Sequence, residues 1–206
     1  MSILLVLAHP NSSSFNHAIA VVVKETLEAN GYHVIFHDLY SENFSPIITQ
    51  SEISNTAPLD TAIASYCSEL TVVKGIIIVH PNWWGQPPAI LKGWIDRVFR
   101  SAVAYQFLEG DPGAGVPEGL LHAEKAVVIN TSDTPYEREL AIFGDPLETL
   151  WKNCIFDYCG IRNFYRKTFG VVVSSDSKQR RAWLDEVRNI INSQFPGRRD
   201  KNDSKM

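Results

Sequence analysis

A chain of 206 residues with 45% hydrophobic and 20% charged side chains suits one globular domain with a real core, and excludes a disordered or fibrous polymer. Nineteen basic against twenty-three acidic residues give a formal net charge of -4, which leaves no broad cationic surface for nucleic acid or an anionic membrane. No apolar run reaches the roughly 18 residues of a membrane span, and Cys67, Cys154 and Cys159 lack CxxC spacing, so buried thiols in a reducing, cytoplasmic setting are expected rather than a redox pair.

The first element is a continuously apolar strand over residues 3–8, ILLVLA, with no charged leader before it. It runs into HPNSSSFNH, residues 9–17, where hydroxyls and free backbone N–H groups meet the start of a helix over 16–30 closed by Asn30-Gly31. Such a loop either binds a phosphate without a lysine or simply caps its helix through Ser14 or Asn16. A second strand over 33–39 and a helix over 59–70 follow, and then a third strand over 75–79, again wholly apolar.

The connection after that strand is HPNWWGQPP. Pro81, Pro87 and Pro88 stiffen it, Trp83 and Trp84 offer flat faces, and Gly85 admits close backbone approach, which together make a wall for a planar ring. The helix over 89–100 turns either Ile90, Trp94 and Val98 or Leu91, Ile95 and Val98 to the sheet, so Trp94 is expected in the core and the Asp96-Arg97 pair outside it or at an interface. The loop over 109–117 is rich in glycine and proline, but it follows no strand and carries no dinucleotide fingerprint.

A fourth strand over 126–130 leads into NTSDTPY, residues 130–136, whose small polar side chains either hydrogen-bond the heteroatoms of a ring or make local turns. Asp145-Pro146 opens a helix over 146–159, a fifth strand is expected over 169–173, and a last helix over 178–193 is capped by Ser175 or Ser177. The expected domain covers 1–195. Residues 196–206 form a polar tail whose Arg198, Arg199, Lys201 and Lys205 are read as a solvated terminus.

Five alternating strand and helix units imply α/β architecture: a doubly wound parallel sheet of order 2-1-3-4-5 with helices on both faces. Ligands then sit beyond the carboxyl ends of strands 1, 3 and 4. A phosphate-type loop, an aromatic wall and a polar loop would converge there, and a flavin nucleotide is the ligand that wants all three.

These residues resemble the NAD(P)H:quinone oxidoreductase family of flavodoxin-like flavoproteins. The likeness rests on Ala8-His9 with Ser14-Phe15-Asn16, on Asp38-Leu39-Tyr40 and Asn43-Phe44-Ser45-Pro46-Ile47-Ile48, and above all on PAILKGW, residues 88–94, with Arg97-Val98-Phe99. Ala104-Tyr105, Gly144-Asp145 and Cys159-Gly160 extend it along the chain. The resemblance implies a cytoplasmic homodimer holding non-covalent FAD or FMN, with NAD(P)H as cosubstrate and a quinone or similar small molecule as acceptor. His9, Ser14, Phe15 and Asn16 would hold the phosphate side; Pro81, Asn82, Trp83, Trp84 and Gly85 would line the ring; Asn130, Thr131, Ser132 and Asp133 would face its polar edge; and Arg180 would reach the adenine end. Tyr105 and Phe107, with Trp84, would form a substrate pocket shared with the partner subunit, and Tyr136 and Tyr105 would be catalytic. The chain departs from larger relatives at Phe143, where they carry a histidine paired with a tyrosine. Two other roles fit the same resemblance: an ancillary subunit of a potassium-efflux membrane transporter, and a flavodoxin-type electron carrier.

Overall fold

The computed structural model describes residues 1–54, 58–111 and 115–197, so the basic cluster at 198–205 lies outside the described residues. Five strands form one parallel sheet of order β2-β1-β3-β6-β7: β1 (Ser2–Leu7), β2 (His33–Asp38), β3 (Gly75–Pro81), β6 (Lys125–Ser132) and β7 (Phe164–Gly170). The expected order 2-1-3-4-5 is this one. A short antiparallel hairpin, β4 (Tyr105–Gln106) with β5 (Glu118–Gly119), stands apart and has no counterpart in the sequence reading.

Alternation along the central strands builds a separate core on each face. Leu4, Val6, Ile76, Ile78, Ala126 and Val128 pack with α3 (Thr61–Val72), α4 (Ala89–Val98) and a π-helical segment, Thr149–Asp157. Ile3, Leu5, Leu7, Ile77, Val79, Val127 and Ile129 point the other way, onto α1 (Phe15–Ala29) and α7 (Ser177–Gln194). Burial on both faces is why these strands read as unbroken apolar runs.

The PAILKGW helix is held by close backbone approach. A Cβ on Gly93 would overlap the backbone of Pro46, so only glycine lets the segment at 45–46 lie against α4. Leu91, Trp94, Ile95 and Val98 are buried, which puts Trp94 in the core as expected. Arg97 is buried too, contrary to the exposed or interfacial placement expected for its pair. Its Nε donates to Glu52 of the short helix α2 (Gln50–Ile53) at 2.8 Å, and its Nη1 donates to the Ser45 carbonyl at 2.7 Å, so burial is offset by an ion pair and a backbone acceptor.

Other expectations need correction. The fifth strand runs over Phe164–Gly170, not 169–173, because Phe164 pairs with Ala126, and Arg166 and Lys167 within the strand break its apolar pattern. The expected helix over 146–159 is three α-helical residues, α6 (Pro146–Glu148), continued by the π-helical segment. Cys67 and Cys159 are buried free thiols, but Cys154 is exposed. Asp176, rather than either serine, caps α7 by accepting from the Gln179 N–H. A helix absent from the sequence reading, α5 (Tyr136–Phe143), follows β6; it ends on Gly144 and buries none of its residues.

Candidate active site

The carboxyl ends of β1, β3 and β6 open into one cavity of about 710 Å³. This is the edge at which the strand order reverses beside β1, where parallel sheets of this kind place ligands. Three segments supply most of its wall.

The first segment is the β1–α1 loop. Ser14 caps α1 by accepting from the His17 N–H at 3.3 Å, while Asn11 takes the Ser13 N–H at 2.9 Å and folds the loop back. The first-turn N–H groups of Phe15 and Asn16 have no acceptor within the helix, and together with the dipole they favour an anion. Asn16 is buried; its Nδ2 donates to Thr131 Oγ1 at 2.9 Å, and its Oδ1 has no partner among the described residues. His9 has its Nδ1 turned back onto the Asn11 N–H at 3.1 Å, and burial lowers its pKa below the ordinary histidine value, so it is neutral at pH 7.

The second segment is the tight turn after β3. Trp83 and Gln86 exchange both backbone hydrogen bonds, at 3.1 and 3.0 Å, around two residues of positive φ, Trp84 at 58° and Gly85 at 72°. Two positive φ values at the centre of a four-residue turn define the I′ type, which asks for glycine or asparagine and here accepts a tryptophan at its first centre. The conformation separates the tryptophans. Trp83 remains against the site, its ring centroid 6.4 Å from that of His9, whereas Trp84 projects into solvent at 100% relative exposure. A Cβ on Gly85 would come within 2.7 Å of Pro146 Cγ, so the first residue of α6 closes over this turn.

The third segment is the end of β6. The strand runs two residues further than its apolar pattern indicates, so Thr131 and Ser132 are ordered by strand pairing, and the Asn82 N–H donates to the Thr131 carbonyl at 2.7 Å. Asp133 accepts the Val173 N–H at 2.9 Å and ties in the segment after β7.

Beneath the floor lies a buried polar chain. His80 is fully buried: its Nδ1–H donates to the Pro81 carbonyl at 2.8 Å, and its Nε2 accepts from Trp151 Nε1 at 3.0 Å and Asn130 Nδ2 at 2.8 Å. Burial, aided by the charge of Arg166, lowers its pKa to about 4, so it is a neutral structural acceptor. Arg166 continues the chain, donating to Asn130 Oδ1 at 3.1 Å, Thr168 Oγ1 at 2.9 Å, Glu148 Oε2 at 2.9 Å and Asp145 Oδ2. Tyr136 donates its hydroxyl to Asp145 at 3.2 Å; desolvation first and the Asp145 charge second raise the pKa of this phenol.

Of the residues singled out in the sequence, His9, Ser14, Phe15, Asn16, Pro81, Asn82, Trp83, Trp84, Gly85, Thr131, Ser132, Asp133 and Arg180 line this one cavity. Asn130 does not, because both ends of its amide are committed to His80 and Arg166. Tyr136 faces a small adjoining cleft with Asp145 and Arg166. Tyr105 and Phe107 lie on the β4–β5 hairpin outside the cavity, Tyr105 against Tyr158 with ring centroids 5.1 Å apart. Arg138, Glu139 and Phe143 also line the cavity, brought there by α5. Among the described residues no helix is long and apolar enough to cross a membrane.

Residues 1–191 match the family model described as "Flavodoxin-like fold". The chain is 33% identical over 193 residues to an uncharacterized NAD(P)H oxidoreductase of Haemophilus influenzae, covering 90% of this chain and 91% of that protein. It is 31% identical over 183 residues to the NAD(P)H dehydrogenase [quinone] 1 of Cavia porcellus, covering 77% of this chain and 64% of that longer protein. Among solved structures, the FMN-dependent NADH-azoreductase of Bacillus anthracis, determined in complex with FMN, shares the fold: the TM-score is 0.74 at 17% identity, over 94% of this chain and 99% of that one.

Proposed function

Since the chain belongs to the family of the flavodoxin-like fold, we propose that it is a flavin-dependent NAD(P)H:quinone oxidoreductase whose flavin nucleotide, FAD or FMN, occupies the cavity at the ends of β1, β3 and β6. The observation that carries this reading is the convergence of an anion-favouring helix start, an aromatic turn and a polar strand end on one cavity. The residues present fit such a group. Asn16 Oδ1 is a buried acceptor without a donor among the described residues, as expected where a ligand hydroxyl or N–H completes the site, and Gly85 leaves room that a side chain would fill.

The overall reaction is NAD(P)H + H⁺ + quinone → NAD(P)⁺ + hydroquinone. The bound flavin supplies a carrier that takes a hydride from the nicotinamide and returns two electrons to the quinone. The chain supplies position and electrostatics. Phosphate charge would be met by the Phe15 and Asn16 N–H groups and by Ser14, with Arg180 serving the adenine end of a dinucleotide. Trp83 would line the flavin ring, and Thr131 and Ser132 would offer hydrogen bonds at its polar edge. His9 lines the same cavity beside the loop after β1. Tyr136 acts on the site through Asp145 and the adjoining cleft, and its hydroxyl keeps its proton across the neutral range.

Donor and acceptor would use the same face of the cavity in turn. A homodimer is part of this reading, because Trp84 and, on α5, Leu140, Ile142 and Phe143 are exposed apolar groups, and Tyr105 and Phe107 stand on a hairpin outside this chain's own cavity. A cytoplasmic location agrees with the three free cysteines. Initial rates measured over a grid of NAD(P)H and quinone concentrations are expected to give parallel double-reciprocal lines, the mark of ping-pong exchange in one pocket. Lines that converge would require both substrates to be bound together and would overturn the shared-pocket mechanism.

A further inference from the structure

Two guanidinium groups line the cavity, and they differ in how they are held. Arg180 donates its Nε to Ser175 Oγ at 2.8 Å and its Nη2 to the Val172 carbonyl at 3.1 Å, so its head group is fixed against the segment after β7. Arg138, on α5, makes no hydrogen bond or ion pair among the described residues and is exposed at the mouth. Its neighbour Glu139 also lines the cavity, but the two side chains leave the helix about 100° apart. Glu139 is half-buried and borders the inner cleft with Asn82, Ser132 and Thr134, so the negative charge sits deeper and the positive one at the entrance.

Beside Arg138 the lining from the same stretch of chain is apolar, with Phe143 and Pro146. An apolar wall with an unpaired guanidinium at its rim recognises an aromatic ring bearing an anionic substituent, since the fork of an arginine pairs sulfonate or carboxylate through two N–H groups. We propose that Arg138 selects electron acceptors carrying an anionic group, a sulfonated or carboxylated quinone, by pairing with that group at the mouth while the quinone ring lies beside Phe143. This rests on the quinone reductase reading above. Glu139 reinforces the orientation, because its charge repels the anionic end from the inner cleft.

The test uses the flavin-loaded enzyme with naphthoquinone sulfonate and unsubstituted naphthoquinone as paired acceptors, and reads the ratio of their kcat/KM values at low salt. The wild type is expected to favour the sulfonate. Arg138→Glu is expected to lower the ratio about tenfold and Arg138→Gln about threefold, in keeping with one exposed charge pair, while Arg138→Lys keeps most of it. The wild-type preference is expected to shrink as ionic strength rises. A ratio that moves less than twofold in Arg138→Glu overturns the proposal, as does a rise confined to the KM for NAD(P)H, which would assign the guanidinium to the donor's phosphates. Turnover of neither naphthoquinone by the flavin-loaded wild type would overturn the quinone reductase reading and the acceptor preference together, and so is distinct from a failure of the preference alone.

Discussion

Replacing Arg166 with leucine is expected to lower the unfolding free energy by about 3–5 kcal/mol, the range for removing one partner of a buried ion pair. The side chain is 7% exposed and serves four acceptors, on Asp145, Glu148, Asn130 and Thr168. Leucine fills part of the volume but leaves the Asp145 carboxylate, 12% exposed, without its cation, and strips Asn130 Oδ1 of a donor. Arg166→Lys restores one charge without the planar fork, so its loss should lie between those of the leucine variant and the wild type. Urea unfolding measures both. A loss under about 1 kcal/mol for the leucine variant would show that the chain from His80 to Asp145 adds little to stability, against the general range for such pairs. The consequence for function is indirect but specific. Asp145 caps α6 by accepting from the Glu148 N–H at 3.1 Å, and the adjacent Pro146 lines the cavity, so loosening Arg166 loosens one wall of the site.

The second large effect is expected at Gly85. Valine there must adopt a φ near 72°, a region that β-branched residues avoid, and its Cβ would meet Pro146 Cγ at 2.7 Å. Trp84 already occupies the left-handed region at the preceding position, so the turn has no spare conformational freedom to absorb the change. Flipping it moves Trp83 off the wall. Gly85→Val should therefore weaken flavin binding by the purified apoprotein at least tenfold, read by quenching of flavin fluorescence, while thermal unfolding shows the domain still folded. Gly85→Ala, with the same φ and a smaller clash, should fall between. An unchanged flavin affinity in Gly85→Val would mean that the turn does not border the ring.

The residues that gave themselves away in the sequence were those whose neighbours are symmetric or local. Strands β1, β3 and β6 are covered on both faces, so Ile3, Ile77 and Val127 belong to unbroken apolar runs, and the sheet order followed from their alternation with helices. Strand β7 lies at an edge and carries Arg166 and Lys167 within it, which masks the pattern and shifted the expected strand toward its apolar end. Helix α5 was invisible for the opposite reason: Leu140, Ile142 and Phe143 are apolar but exposed, so no buried stripe marks it, and Arg138 and Glu139 went unrecognised with it.

Within the site, the loop after β1 and the turn after β3 were legible because adjacent residues in the chain remain adjacent in space. Asn130 was placed on the cavity wall because it begins the polar run. The strand in fact continues through Ser132, and Asn130 lies inside it with its amide on His80 and Arg166 while Thr131 turns to Asn16. Arg97 likewise gave no sign of burial, since its partner Glu52 lies forty-five positions earlier. Pairings of that separation are set by the packed fold and leave no local pattern.

The most direct test of the central claim is an anaerobic titration of the purified protein, reconstituted with FAD or FMN and freed of excess, followed by its visible spectrum. The account predicts that about one flavin per chain stays bound, that NAD(P)H bleaches its yellow absorbance, that a quinone then restores it, and that mass analysis of the released cofactor names the flavin. A protein that retains neither flavin after reconstitution, or a bound flavin that NAD(P)H does not bleach, would contradict it.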